Sequence, residues 1–330
     1  MGKVKKLQKK GIFFTFIAIT IMALFILVYT PQTDISLQKD TQAVKNRIIS
    51  LDNYASDLEN SYFESVLRAA TYKTILSLAY YAESTGLKIS DFDSAFSEVI
   101  ANGTIKGVPI DSITGKNIME NNTLTDWSSR IIEAAKDTYN ANTTIIVNNV
   151  AVYQTSPWKV DARLNIDIDI KSNVAEWNRE NVTIISAISI EGFDDPLYAI
   201  NTNGAYINKI KKSGLEFYQW DISQTREHLR NGTYVHWENS DAPNFLMRFG
   251  NITANSSCCG IESLVDPGKI SPSDQVESYA DYNFFNQAYL AQCQQLYNIT
   301  GLWDEFRYFK LDIDHVTRYN ITANDAVRSC

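Results

Sequence analysis

VDARLNIDIDIK, residues 160–171, alternates without a break. Val160, Ala162, Leu164, Ile166, Ile168 and Ile170 are apolar; Asp161, Arg163, Asn165, Asp167, Asp169 and Lys171 between them are polar. Successive side chains of a strand point to opposite faces, so this period of two predicts a strand with one buried face and one wet face. A second strand-like stretch, 144–154, precedes it across the Thr155-Ser156-Pro157 turn, and a third, 182–190, comes after it. The three predict an antiparallel sheet with helices over its apolar face. Gly192-Phe193-Asp194-Asp195-Pro196 then breaks the sheet.

Upstream the period is helical. Val44, Ile48, Leu51, Ala55, Leu58 and Tyr62 recur at alternating spacings of four and three. The stripe skips register near Ser65, resumes at Val66, Ala69, Ala70, Leu76 and Tyr80, and ends at Gly86. This pattern predicts a long amphipathic helix of about 45 to 50 residues. Its heptad run is short for a free-standing coiled coil, so the stripe is expected to pack on the globular domain or, as the alternative, on a neighbouring subunit. Ser90 with Asp93 reads as a capping box for a short helix through Ala101, stopped by Asn102-Gly103. Another amphipathic helix is expected over 126–140, with Trp127, Ile131, Ile132 and Ala135 on one side.

The N-terminus has a different character. Residues 1–11 carry Lys3, Lys5, Lys6, Lys9 and Lys10 and no acid. IFFTFIAITIMALFILVY, residues 12–29, is uncharged. As a helix it would span roughly 27 Å, close to the hydrocarbon thickness of a bilayer. A transmembrane helix is therefore expected over 12–30, with the lysines holding the N-terminus in the cytoplasm and the bulk of the chain outside. The exit Leu27-Val28-Tyr29-Thr30-Pro31 lacks the small residues of a cleaved secretory signal. Lys9-Lys10-Gly11 followed at once by the apolar stretch resembles the class III, prepilin-like signal of archaeal type IV pilin-like proteins. The resemblance covers about the first thirty residues. It implies cleavage beside Gly11, with a new N-terminus at or next to Ile12 and the helix left attached. Phe16 stands at the fifth mature position, where bacterial pilins usually carry glutamate.

The net charge is −8, and subtracting the five leader lysines leaves −13 on the remainder. That balance argues against nucleic acid as a partner. The membrane, through one helix, and a homo-oligomer or other surface proteins are the partners expected. Nine Asn-x-Ser/Thr sequons occur, at Asn102, Asn121, Asn142, Asn181, Asn231, Asn251, Asn255, Asn298 and Asn320. About four would arise by chance from the 28 Asn and 51 Ser and Thr, so the excess marks glycosylation candidates of an extracellular chain. All four cysteines, Cys258, Cys259, Cys293 and Cys330, lie in the last quarter. An even count in an exported chain predicts two disulfides. Adjacent cysteines rarely join each other, so the expected ties run from Cys258 and Cys259 to Cys293 and Cys330, in either pairing.

Chemistry is sparse. The chain has no GxSxG, no P-loop, no EF-hand loop, no CxxC and no HExxH. Of the histidines His228, His236 and His315, only the last sits in a suggestive run, Asp312-Ile313-Asp314-His315. On a strand Asp312 and Asp314 share one face and His315 takes the other, so a solvated strand edge is expected there. Asp167 and Asp169 belong to a wholly polar strand face. No catalytic residue, cofactor or metal is assigned, and the chain is not expected to be an enzyme. Trp220, Trp237, Trp303, Tyr218, Tyr234, Phe284, Phe285 and Tyr308 crowd the C-terminal half, where core packing is the expected role and sugar or protein binding the alternative. Short helices are expected over 221–230 and from Ser240-Asp241-Ala242-Pro243 through Phe249, and a final strand over 309–319.

The expected fold is α+β: an N-terminal transmembrane helix and a long amphipathic helix, then an antiparallel sheet with helices and a disulfide-bearing C-terminal region. The segments are a basic cytoplasmic leader (1–11), the transmembrane helix (12–30), a helical stalk (31–86), an α+β ectodomain (87–204) and an aromatic, Cys-bearing region (205–330). Such a chain reads as a membrane-anchored extracellular surface protein for interaction or adhesion, or as a pilin-like filament subunit.

Overall fold

The heptad stripe folds as one helical rod. Residues 41–57 are α-helical, Leu58–Tyr62 form a π turn and Phe63–Thr85 continue as α-helix; together they are α1. A π turn adds a residue to one turn and rotates the rest of the helix, which is the physical origin of the register skip. Burial passes from Leu51, Ala55 and Leu58 to Phe63, Val66 and Leu67, and Tyr62 is left 40% exposed. The break thus falls earlier than Ser65, and Ala69 faces solvent. Gly86 ends the rod with φ +64°, its N–H donating to the Ala82 carbonyl at 2.9 Å. A side chain there would meet the Asn203 Oδ1 at 2.8 Å, so glycine suits the position twice over.

The computed structural model describes residues 18–23, 41–215, 220–270, 277–286 and 295–329. Of the expected transmembrane span, 12–30, only 18–23 are described; they are helical. Among the described residues no helix is long and apolar enough to cross a membrane. The leader, with Gly11 and Ile12, lies outside the described residues, as do Tyr218, Cys293 and Cys330.

After α1 come α2 (Phe92–Asn102), the short hairpin β1–β2 (Thr104–Ile105, Val108–Pro109), α3 (Ile110–Thr114) and α4 (Leu124–Tyr139). Asp91, not Ser90, caps α2, its side chain accepting from the Ser94 N–H at 3.1 Å. Helix α4 starts two residues earlier than expected. Asp126 reaches back to the Thr123 N–H, and the Thr123 hydroxyl accepts from the Asp126 N–H, so the box encloses the first turn.

The alternating stretch is β4 (Lys159–Lys171), the centre of an antiparallel sheet β3–β4–β5 with β3 (Asn142–Ser156) and β5 (Glu176–Ser189). Leu164 pairs with Val150 on one side and Ile184 on the other. All six alternating apolar residues of β4 are buried. Helix α1 crosses β5, and its Asp52 accepts from the Trp177 indole N–H at 3.1 Å. The other face of the sheet is wet, with Arg163, Thr183 and Ile185 exposed or partly so.

The chain continues through α5 (Pro196–Asn201), α6 (Ile222–Asn231), α7 (Phe245–Phe249) and α8 (Asp281–Phe284). A second sheet, ordered β7–β6–β8, joins Leu296–Ile299 (β6) to Lys310–Asp312 (β7) and Ala326–Arg328 (β8). The expected strand over 309–319 is a correction: after Asp312 the chain turns into α9 (Ile313–Arg318). One hydrophobic cluster of buried residues runs from Leu51 to Ala326 and includes Trp220, Tyr234, Trp237 and Phe285. These aromatics pack in the core; Tyr308 stays exposed and Trp303 partly so.

Candidate functional site

The turn into α9 changes the chemistry of Asp312 and His315. Asp312 becomes the N-cap, accepting from the His315 N–H at 3.0 Å, and its carboxylate lies 2.7 Å from His315 Nδ1. A helical turn brings residues three apart together where a strand would have parted them. Both side chains are buried, so the expected solvated edge is overturned. On its other side His315 Nε2 lies 3.6 Å from Glu262 Oε2 and 3.3 Å from the Tyr282 hydroxyl. Burial works against charge on this imidazole, but Glu262 and Asp312 outweigh it and raise its pKa to about 10. Burial likewise opposes ionised Glu262, and the positive His315 and Arg318 prevail, holding the carboxylate below its ordinary range. An imidazolium flanked by two carboxylates has no lone pair to offer as a base or a metal ligand. It is a structural clamp.

Glu262 gathers further donors: the Trp237 indole N–H at 2.8 Å, the Ser240 hydroxyl at 3.1 Å and the Tyr319 hydroxyl at 3.2 Å. Next to it in the chain, Ser263 leads into a second cluster. Arg248, on α7, is wholly buried and donates to Asp195 at 2.6 Å, to Asp281 at 2.9 Å and to the Ile261 carbonyl. Asp281 also accepts from the Ser263 N–H and hydroxyl, and Asp195 from the Tyr234 hydroxyl at 2.7 Å. One guanidinium serves two carboxylates here. Burial therefore pushes Asp281 up to about 6 despite Arg248. Asp195, Arg248, Glu262 and Asp281 carried no local signal in the sequence, because each meets its partners across tens of residues.

These clusters support a cleft. A cavity of about 680 Å³ opens beside Trp158, Lys212, Trp220, Tyr234, Trp237 and Arg318. Trp237 belongs both to its wall and to the Glu262 network, so the buried ion pairs hold the wall in place. Arg318 reaches Glu262, the Tyr282 hydroxyl and the Asn239 carbonyl, each at 3.5 Å. The Lys212 ammonium sits 5.6 Å from the Trp158 ring centroid. A second cavity of about 450 Å³ shares His236, Trp237 and Glu238 with the first and carries Thr155, Ser256 and Cys258 on its far side. His236 is fixed there by the Gly260 carbonyl, 2.7 Å from Nδ1. His228 is buried behind Trp220, ring centroids 5.1 Å apart, its Nδ1 bonded to Thr233.

The cysteine expectation needs correcting. Cys258 and Cys259 are bonded to each other, while Cys293 and Cys330 lie outside the described residues. The loop turns at Ser257 and Cys259, both with positive φ, and this curl buries Cys259 while Cys258 stays exposed. Of the sequon asparagines, Asn102, Asn121, Asn142, Asn181, Asn231, Asn255 and Asn320 are exposed; Asn251 and Asn298 are half-buried. Asp167 and Asp169 lie on the wet face of β4, Asp167 accepting from the Asn181 N–H. Among the described residues no group of three or more His, Cys, Asp or Glu is placed to hold a metal ion. No protein family, no characterised protein and no solved structure matches the chain.

Proposed function

We propose that this chain is a non-enzymatic surface protein of an archaeal-type cell, held by its N-terminal apolar segment, with the body outside the membrane and built for interaction or adhesion. The observation that carries the reading is the placement of the sequons: seven of the nine asparagines are exposed on the folded body, with the side-chain nitrogens of Asn255 and Asn320 bonded to Asp241 and to the Trp220 carbonyl. The titratable groups add support, since the clustered acids, His315 and Arg248 are engaged in buried pairs that build the fold. The five leader lysines and the uncharged stretch 12–29 set the orientation.

The filament reading has one observation in its favour. Val44 and Ile49 are 44% and 48% exposed on α1, before the rod enters the core at Leu51. A neighbouring copy would cover them in a pilin-like assembly processed beside Gly11. One experiment separates the two. Protease is added to intact cells expressing the wild type or Gly11→Trp, and the mature masses are measured. Degradation of the chain beyond Thr30, with the leader retained in both, is the expected result. Full protection of that region overturns the orientation. A trimmed wild type found only in filaments, lost in Gly11→Trp, overturns the anchored reading in favour of the pilin-like one.

A further inference from the structure

We infer that the two joined cavities form one groove for an anionic oligosaccharide. The proposal deepens the interaction reading above and rests on it. A sugar acid presents three things to a protein: a ring face of C–H groups, a belt of hydroxyls and a carboxylate. The groove supplies a partner for each. Trp158, half-buried at its edge, offers an indole to the ring face. The far cavity is lined by Asn239 and by Thr155, Ser240, Ser256 and Ser257, whose hydroxyl protons go to Asp161, Glu262 and nearby carbonyls and whose oxygens can accept from sugar hydroxyls. Among the described lining residues Lys212 and Arg318 carry positive charge and Glu238 negative charge, with the buried Glu262 3.5 Å from Arg318. Arg318 has only 3.5 Å contacts to its neighbours, so its fork is open to a shorter charge-assisted bond.

Another observation narrows the ligand. Aromatic walls can also cage a cation, but the Lys212 ammonium, 5.6 Å from the Trp158 ring centroid, would repel one. The main cavity, about 680 Å³, has the volume of a small-molecule site, and its continuation past Trp237 suits an extended ligand.

The test uses the full-length protein in detergent micelles, titrated with trigalacturonate and followed by tryptophan fluorescence and calorimetry. Neutral galactotriose and inorganic phosphate are the comparison ligands. Asn255→Gln is run alongside, so that a glycan on the rim cannot occupy the groove. Saturable binding of trigalacturonate is expected, about tenfold or more tighter than galactotriose. Lys212→Glu should weaken it by at least about tenfold, because an exposed attractive charge becomes a repulsive one. Trp158→Ala should weaken binding and reduce the fluorescence change; if that variant does not fold, Lys212→Glu decides. No saturable binding to either Asn255→Gln or the wild type overturns the proposal. So does binding indifferent to Lys212→Glu, or phosphate binding as tight as trigalacturonate. A protein found outside the membrane that fails these titrations loses this inference and keeps its surface assignment. A protein found inside the cell loses the surface assignment whatever it binds.

Discussion

His315 is the residue on which the pH dependence of the fold turns. Its imidazolium sits between Asp312 and Glu262, and its pKa in the folded chain is about 10 against an ordinary 6.5. The folded state therefore holds a proton that the unfolded state releases above 6.5. Stability from this group is complete below pH 6.5 and is lost as pH rises through about 10. The loss should approach about 5 kcal/mol. His228 acts in the opposite sense: burial depresses its pKa to about 4, so the fold loses stability as pH falls from 6.5 toward 4. Asp281, raised to about 6, takes up a proton in the folded state over nearly the same window and offsets His228. Urea midpoints should therefore change little from pH 4 to 6.5 and fall toward pH 10.5, and His315→Gln should flatten that alkaline limb while lowering the plateau. An alkaline limb unchanged in that variant would show that the imidazolium is not the group responsible. Sequence reasoning noticed Asp312 and His315 but separated them. The i,i+3 pairing exists only because the strand ends at Asp312, and nothing local in the run announced that ending.

At the scale of the element, α1 makes a sharper claim than its periodicity did. The π turn over Leu58–Tyr62 absorbs one surplus residue, so that Leu51, Ala55 and Leu58 share a buried side with Phe63, Val66 and Leu67. Ser61 lies within this turn and is exposed. Deleting it should restore regular α geometry without moving either apolar half out of phase, and stability from urea unfolding should shift by no more than about 1 kcal/mol. Deleting Tyr72, an exposed residue of the regular stretch, should rotate the rest of the rod by about 100° and pull Ile75, Leu78 and Ala82 from the core. A loss on the order of 5 kcal/mol is expected from exposing side chains of that size. Equal penalties for the two deletions would refute the account. The sheet needed less from tertiary structure: strict alternation in β4 named its buried face, and its neighbours paired in the simplest antiparallel order.

For the whole molecule, the decisive feature is continuity. The core runs without interruption from Leu51 to Ala326, and Arg248 ties Asp195, just after the first sheet, to Asp281, far into the C-terminal half. Pulling 87–204 away from 205–330 would strand the buried Asp195 carboxylate and leave Arg248 with Asp281 alone, at a cost of about 3–5 kcal/mol. Scanning calorimetry should therefore show one cooperative transition, with calorimetric and van't Hoff enthalpies in agreement; two resolved transitions would mean independent domains. By itself the sequence determined the amphipathic rod, the alternating sheet, the mixed α+β class, the acidic, sequon-bearing body and the burial of most C-terminal aromatics. Each is encoded by spacing along the chain or by composition, and both are local information. The cleft, the Glu262 and Arg248 networks, the helix after Asp312 and the joining of Cys258 to Cys259 were decided only by tertiary structure. Their partners are tens of residues apart, or depend on where one element stops and how a loop curls. A polar side chain shows its role only when folding has removed it from water and given it a partner.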